Sequence, residues 1–120
     1  MPTANTKAIL LNLGAFLADN NVRRNVQSLT YNYNSPSANV VQTQLTLNPG
    51  ETFTWSSPMS PSAVTVISCT SPLNLSVTLR PTGSYAARVN KLHIIDDDVG
   101  QLVLTNPSTT TISRLILIQG

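Results

Sequence analysis

The sequence is poor in the residues that carry most enzyme and metal chemistry. Its 120 residues include one Cys, one His and five acidic residues, and 10% of the chain is charged. A single cysteine excludes an internal disulfide and a cysteine-based zinc cluster. No Gly-x-Ser-x-Gly motif is present to position a nucleophilic serine. We therefore expect no catalytic residue, no cofactor, no metal and no small-molecule substrate, so that the protein is not an enzyme.

Positive charge is also scarce. The net charge of +2 is too small for a nucleic-acid footprint, which commonly neutralises roughly six or more phosphates. The nearest approach to a basic patch, Arg23 and Arg24, has no interleaved aromatic residues. We expect no nucleic-acid partner.

Long hydrophobic runs are missing as well. No run reaches the roughly 20 apolar residues that a membrane span needs. The apolar stretch from Ala8 to Ala18 follows Lys7, as in a signal peptide, but it contains Asn12 and Gly14 and lacks a small-x-small cleavage site. We expect the protein to be made in the host cytoplasm without a signal peptide. We expect no association with a membrane.

What the chain has in abundance is uncharged polar residues. Ser (13), Thr (15) and Asn (12) make up 40 of the 120 residues. Hydroxyl and amide groups exchange water for a neighbour's hydrogen bonds at little net cost, whereas charges are expensive to desolvate. Few lysines are available to protect strand edges against pairing with other chains. Such a surface is typical of a building block that is covered by other proteins.

From about residue 27 onward, apolar residues alternate with period two between turns rich in Pro, Gly, Asn and Ser. This pattern predicts an all-β, jelly-roll-like sandwich of seven or eight strands. Turns are predicted at Asn48-Pro49-Gly50, Arg80 to Gly83, Asp96 to Gly100 and Asn106-Pro107-Ser108. The predicted strands contain Leu29 to Tyr33, Val41 to Leu47, Phe53 to Trp55, Val64 to Val66, Leu73 to Leu79, Val89 to Ile95, Leu102 to Thr105 and Ile112 to Gln119.

The first 25 residues differ in pattern and are predicted to form a short N-terminal arm or helix on a sandwich domain of residues 26–120. The apolar residues recur at helical spacing, at Ile9, Leu10, Leu13, Phe16 and Leu17. A strand fits the same residues nearly as well, and an irregular arm packed on a neighbour is the third alternative. An arm of this length could reach a neighbouring subunit. Its candidate interface residues are Ile9, Leu13, Phe16, Leu17, Arg23 and Arg24.

The last strand supplies a second candidate interface. Leu115 to Ile118 are apolar on both faces, so that either this strand is central in its sheet or its outer face meets another chain. If the outer face of this strand meets another chain, Leu115 and Leu117 are candidate interface residues, and we include them as such.

Two further residue groups have alternative interpretations, and two single residues have one interpretation each. Tyr31, Tyr33 and Trp55 could form a sugar-stacking platform or belong to the core. Asp96, Asp97 and Asp98 could form a solvated turn, an intersubunit salt bridge or a cation site. His93 is expected at the surface or an interface, and Cys69 as a small buried side chain.

Two segments bear a family resemblance. They are Leu-Thr-Leu-Asn-Pro-Gly-Glu-Thr-Phe-Thr-Trp at residues 45–55 and Gly-Gln-Leu-Val-Leu-Thr-Asn-Pro-Ser-Thr-Thr-Thr at residues 100–111. Together with the strands between them, they resemble small virion structural proteins of tailed bacteriophages, namely decoration or cement proteins and β domains of tail and fibre components. The resemblance implies a β-sandwich that multimerises on a phage particle, and it transfers no active site.

We therefore expect a non-enzymatic virion component, specifically a capsid decoration protein that forms a homo-oligomer and binds other virion proteins, either the major capsid protein or tail components. The alternatives are a tail- or fibre-associated subunit and a carbohydrate-binding adhesion module.

Overall fold

The computed structural model describes residues 8–19, 22–36 and 39–120, and within these ranges the side chains except those of residues 8, 12–19, 22–28 and 113. The described residues are organised entirely as strands, turns and loops. The ten strands are β1 (Ala8–Asp19), β2 (Val22–Asn34), β3 (Val41–Leu47), β4 (Thr52–Ser56), β5 (Thr65–Ser68), β6 (Leu73–Leu79), β7 (Ser84–Val89), β8 (Leu92–Ile95), β9 (Val99–Thr105) and β10 (Ile112–Gln119).

Strands β3 to β10 form an eight-stranded jelly roll. One sheet has the order β3-β10-β5-β8 and the other has the order β4-β9-β6-β7, with every neighbouring pair antiparallel. The chain changes sheet at each connection except the β6–β7 hairpin. This alternation between the two sheets is the connectivity of a double-sheet jelly roll. The prediction of an all-β, jelly-roll-like sandwich is confirmed.

The core lies between the two sheets because the strands alternate. In β6, Leu73, Leu75 and Val77 are buried, whereas the polar residues between them are exposed. Each fully buried aliphatic side chain of this kind contributes roughly 1.5–3 kcal/mol. The core residues with no more than 2% exposure include Leu47, Ile67, Leu73, Leu75, Val77, Val89, Val99, Leu102, Leu104, Ile112, Leu115 and Leu117.

Two predicted turns reverse the chain where positive φ is needed. Gly50 has φ 75° after Asn48-Pro49, and Gly83 has φ 115° at the end of the β6–β7 turn. Glycine adopts this region without the steric cost that a Cβ brings. The first turn carries the chain from β3 in one sheet to β4 in the other.

Strand β10 is central in its sheet, since it pairs with β3 on one side and β5 on the other. Leu115 and Leu117 point into the core and are fully buried, whereas Ile116 and Ile118 are half-buried. On the outer face, Ile118 packs in a cluster that includes Ile9, so that part of this second apolar face is covered within the chain.

Other sequence-based expectations are corrected. The segment from Val89 to Ile95 is two strands, because the chain turns at Asn90 and Lys91 and continues in the other sheet. The turn after Ile95 is shorter than predicted, because β9 already begins at Val99.

The N-terminal segment is a strand rather than a helix. Strand β1 pairs with β2 in a separate two-stranded sheet, which we call the N-terminal ribbon (β1 and β2, Ala8–Asn34). The boundary expected after residue 25 falls inside β2. The Cα radius of gyration is 16.5 Å, against about 14 Å for a compact domain of this length, as expected if a long ribbon extends from the sandwich.

Candidate functional site

The N-terminal ribbon is amphipathic by register. Ile9 lies opposite Tyr33, Leu11 opposite Tyr31 and Leu13 opposite Leu29. Directly opposed residues share a face, and neighbours in sequence alternate between faces. The positions of Ile9, Leu11, Leu29, Tyr31 and Tyr33 therefore form one apolar face of the ribbon. The intervening positions form the other face, which is polar along β2 at Thr30, Asn32 and Asn34 and carries the exposed side chain of Leu10 opposite Asn32.

One half of the apolar face packs on the jelly roll. Ile9 is 8% exposed and lies in a cluster with Val64 and Val66 on the outer face of the β3-β10-β5-β8 sheet. We call the jelly-roll residues of this cluster the ribbon contact. They are Val40, Val64, Val66, Ile94 and Ile118, and Leu11 and Tyr33 of the ribbon pack against them.

The contact is close at the C-terminal residue. A Cβ built on Gly120 would lie 2.9 Å from Cδ1 of Ile9 and 3.5 Å from a methyl of Val40. The backbone of Gly120 is held in place by hydrogen bonds to Ala63 and Val64. A side chain at position 120 would therefore clash with Ile9 and push this end of the ribbon away from the sheet.

Tyr33 adds a polar contact at the same place. The carboxylate of Asp96 lies near the Tyr33 hydroxyl, and the pKa of Tyr33 is raised, first by partial desolvation and then by the negative charge of Asp96. One member of the Asp96–Asp98 turn therefore lies beside the ribbon.

The other half of the apolar face is open. Along β2 the exposed fraction rises to 47% at Tyr31 and 40% at Leu29. Beyond these residues the paired backbone of the ribbon continues to Asp19 and Val22. The ribbon thus presents an apolar surface that the jelly roll of the same chain does not cover.

The predicted interface residues divide accordingly. Ile9 lies in the ribbon contact of its own chain. Leu115 and Leu117 lie in the core between the sheets, which removes them from any interface. The remaining five have described backbones, but their side chains lie outside the described set. In register, Leu13 lies opposite Leu29, Phe16 opposite Asn25, Leu17 opposite Arg24, and Arg23 opposite Ala18.

The three aromatic residues of the sugar-platform alternative do not lie together. Trp55 is 8% exposed and packs in the core beside Leu102, its partner across β4 and β9. Tyr31 and Tyr33 lie on the N-terminal ribbon. Trp55 therefore lies apart from the two tyrosines, and the core interpretation of Trp55 is confirmed.

Asp98 is committed to an internal polar cluster. Its Oδ1 accepts hydrogen bonds from the backbone N of Ser62 at 2.9 Å and from Ser62 Oγ at 3.2 Å. It also lies 3.0 Å from the Arg80 guanidinium. Asp97 instead receives the backbone N–H of Asp98. Asp97 and Asp98 thus have separate partners, an arrangement that does not match the cation-site alternative for this turn.

Arg80 extends this cluster across the end of the sandwich. Its guanidinium donates to Ser57 Oγ at 3.2 Å and to the backbone oxygens of Met59 and Val99. Ser57 Oγ donates in turn to Oε1 of the fully buried Gln119 at 2.8 Å, and Gln119 Nε2 donates to Thr65 Oγ1 at 3.0 Å. The network links the two sheets. Sequence reasoning placed Arg80 only in a turn, because its partners are distant along the chain.

His93 and Cys69 have structural environments. The Tyr85 hydroxyl lies 2.9 Å from His93 Nε2. Burial lowers the pKa of His93, which favours the neutral ring that can accept this bond. Cys69 is buried with its thiol near the carbonyls of Val89 and Asn90, and burial raises its pKa. The prediction of a small buried side chain is confirmed.

Within residues 8–19, 22–36 and 39–120, no cavity is present and no group of three His, Cys, Asp or Glu side chains could hold a metal ion. The same part of the chain contains no helix long and apolar enough to span a membrane.

Comparison with known proteins gives structural likenesses alone. No protein-family model and no curated protein sequence matches the chain. The chain is similar to Drosophila melanogaster CENP-C bound to CAL1, with 7% identity and a TM-score of 0.48 over 89% of this chain and 76% of that one. It is also similar to the Drosophila melanogaster CENP-C cupin domain, with 8% identity and a TM-score of 0.48 over 88% and 73%.

Proposed function

We propose that the protein is a non-enzymatic structural component of a bacteriophage virion, specifically a capsid decoration protein. In this role it multimerises and binds other virion proteins, the major capsid protein first among them. The observation that carries the proposal is the N-terminal ribbon, half of whose apolar face is open. A two-stranded ribbon is at best marginally stable in water unless its apolar face is covered. An assembled particle supplies that cover.

The surface of the jelly roll supports the same role. The exposed positions of β3 are Gln42, Gln44 and Thr46, and the strand carries no charged residue. Edge strands of free monomeric proteins are commonly protected by charges, proline or bulges. An uncharged polar edge is compatible with close packing against neighbouring subunits.

The use of the ionisable side chains also favours a structural role. Asp98 and Arg80 pair with each other and with backbone groups, and His93 is hydrogen-bonded to Tyr85. Each of these groups stabilises the fold in the part of the chain that the structure describes. The proposal therefore includes no substrate and no cofactor.

The test is the location of the protein in the particle. Its reading frame should lie beside capsid genes of a phage, and an antibody against the full-length chain should label the heads of purified particles in immunogold electron microscopy. Tail labelling would transfer the protein to the tail- or fibre-associated class. Absence of the chain from purified particles by mass spectrometry would overturn the proposal.

A further inference from the structure

The outer face of the β3-β10-β5-β8 sheet is only partly covered by the ribbon. One cross-strand row of this face, Ile118, Val66 and Ile94, belongs to the ribbon contact. The next row, which we call the open row, is Ile116, Ser68 and Leu92. Leu92 is 49% exposed and Ile116 is half-buried. The ribbon therefore leaves its own sheet before it covers this row.

Each chain thus has two uncovered surfaces of matching chemistry. One is the open half of the apolar face, with Leu29 and Tyr31, and the other is the open row. Within the chain, the first half of the same ribbon face already packs on the adjoining row of the same sheet face. The intrachain contact shows which kind of surface this ribbon face fits.

We infer that the open half of the ribbon packs on the open row of a second copy of this chain, and that the second copy returns the same contact. The inference deepens the proposed function and rests on it for its biological setting. Residues 8–18 and 25–34 contain no charged side chain, so that nothing in these stretches repels an identical chain or selects a partner of opposite charge. A two-fold contact needs a pair of surfaces that fit each other on one chain, and this chain has them.

The small size of the contact favours the reciprocal arrangement. The open row crosses three neighbouring strands that lie about 4.8 Å apart, so that one ribbon on one row buries well below the roughly 1,000 Å² of a specific interface. Two reciprocal contacts double the buried area and still leave a small interface. We therefore expect a reversible dimer whose population depends on concentration.

The first measurement uses the unmodified full-length chain. Sedimentation equilibrium should give an average mass that rises with concentration from 12.9 kDa toward twice that value. A mass that stays at the monomer value up to millimolar concentration would overturn the inference without any variant being made.

The second measurement locates the contact. Chains carrying Tyr31→Cys are mixed with chains carrying Leu92→Cys and treated with a short bismaleimide, so that a link between the two variants must be intermolecular. The matched control is Asn32→Cys, which is exposed on the polar face of the same strand. The unmodified chain controls for Cys69, which is buried.

We expect a crosslinked dimer at least tenfold more abundant with Tyr31→Cys than with Asn32→Cys, when each is mixed with Leu92→Cys. Equal yields from the two mixtures, or none from either with the variants folded by circular dichroism, would overturn the inference. Particle labelling is independent of this result. A monomeric chain that labels heads refutes the dimer alone, and a crosslinked dimer absent from particles refutes the proposed function alone.

Discussion

Replacement of Trp55 by alanine measures how much of the fold depends on one core side chain. Trp55 is 8% exposed, so that nine-tenths of the roughly 200 Å² of a tryptophan side chain is buried. At about 25 cal/mol per Å² this burial contributes between about 4 and 5 kcal/mol. Alanine retains part of that burial, but the substitution also leaves a cavity beside Leu102. We expect Trp55→Ala to reduce the free energy of unfolding by about 4 kcal/mol.

The assay is urea unfolding followed by far-ultraviolet circular dichroism, because the variant lacks the sole tryptophan of the chain. The loss corresponds to a fall of roughly 12–20 °C in melting temperature. Thr54→Ala is the matched control, since Thr54 is the exposed neighbour on the opposite face of β4. It should change the free energy of unfolding by less than about 0.5 kcal/mol.

A loss below about 1 kcal/mol for Trp55→Ala would refute the reasoning, because it would mean that the ring is not packed between the sheets. The same result would revive the sugar-platform hypothesis. In that case the variant should fold normally and lose binding to a polysaccharide that the unmodified chain binds.

Three further predictions concern polar groups. Asp98→Asn should cost about 2 kcal/mol of unfolding free energy, since a neutral amide replaces a carboxylate bonded to Arg80 and Ser62; an unchanged urea midpoint would contradict this. Asn106→Ala should lower the free energy of unfolding by between about 2 and 4 kcal/mol, because the fully buried amide donates to the carbonyls of Leu47 and Thr110 at 3.1 and 2.7 Å and accepts from the backbone N of Ser108. The comparison is a thermal melt of Thr109→Ala, a substitution of an exposed neighbour. Because the pKa of His93 is lowered in the folded chain, the unfolded chain binds the proton more tightly, and stability should fall as the pH drops through the ordinary histidine pKa toward the lower folded value. The variant His93→Gln should therefore lose stability less steeply between pH 7 and pH 5. Melting temperatures that fall in parallel for the two chains would disprove the role of His93.

The sequence by itself determined most of the jelly-roll strands and where most of them turn. Alternation in Leu73 to Leu79 dictates one buried and one exposed face, because side chains in a strand point alternately to opposite sides. Pro49 and Gly50 end one strand and start another through their backbone preferences. These are local effects, and residues within a few positions of one another are sufficient to specify them.

Tertiary structure alone decided which strands become neighbours and what each face meets. The pattern at Ile9, Leu13 and Phe16 fits a helix and a strand alike, and pairing with β2 selects the strand. Leu115 could have faced another chain, but β3 and β5 on either side make its strand central. Arg80 and Gln119 were unremarkable in sequence, because the groups that surround them come from segments 18 to 62 residues away. The hydrogen bonds that give these residues their roles form only after the two sheets have packed together, so no local pattern in the sequence encodes them.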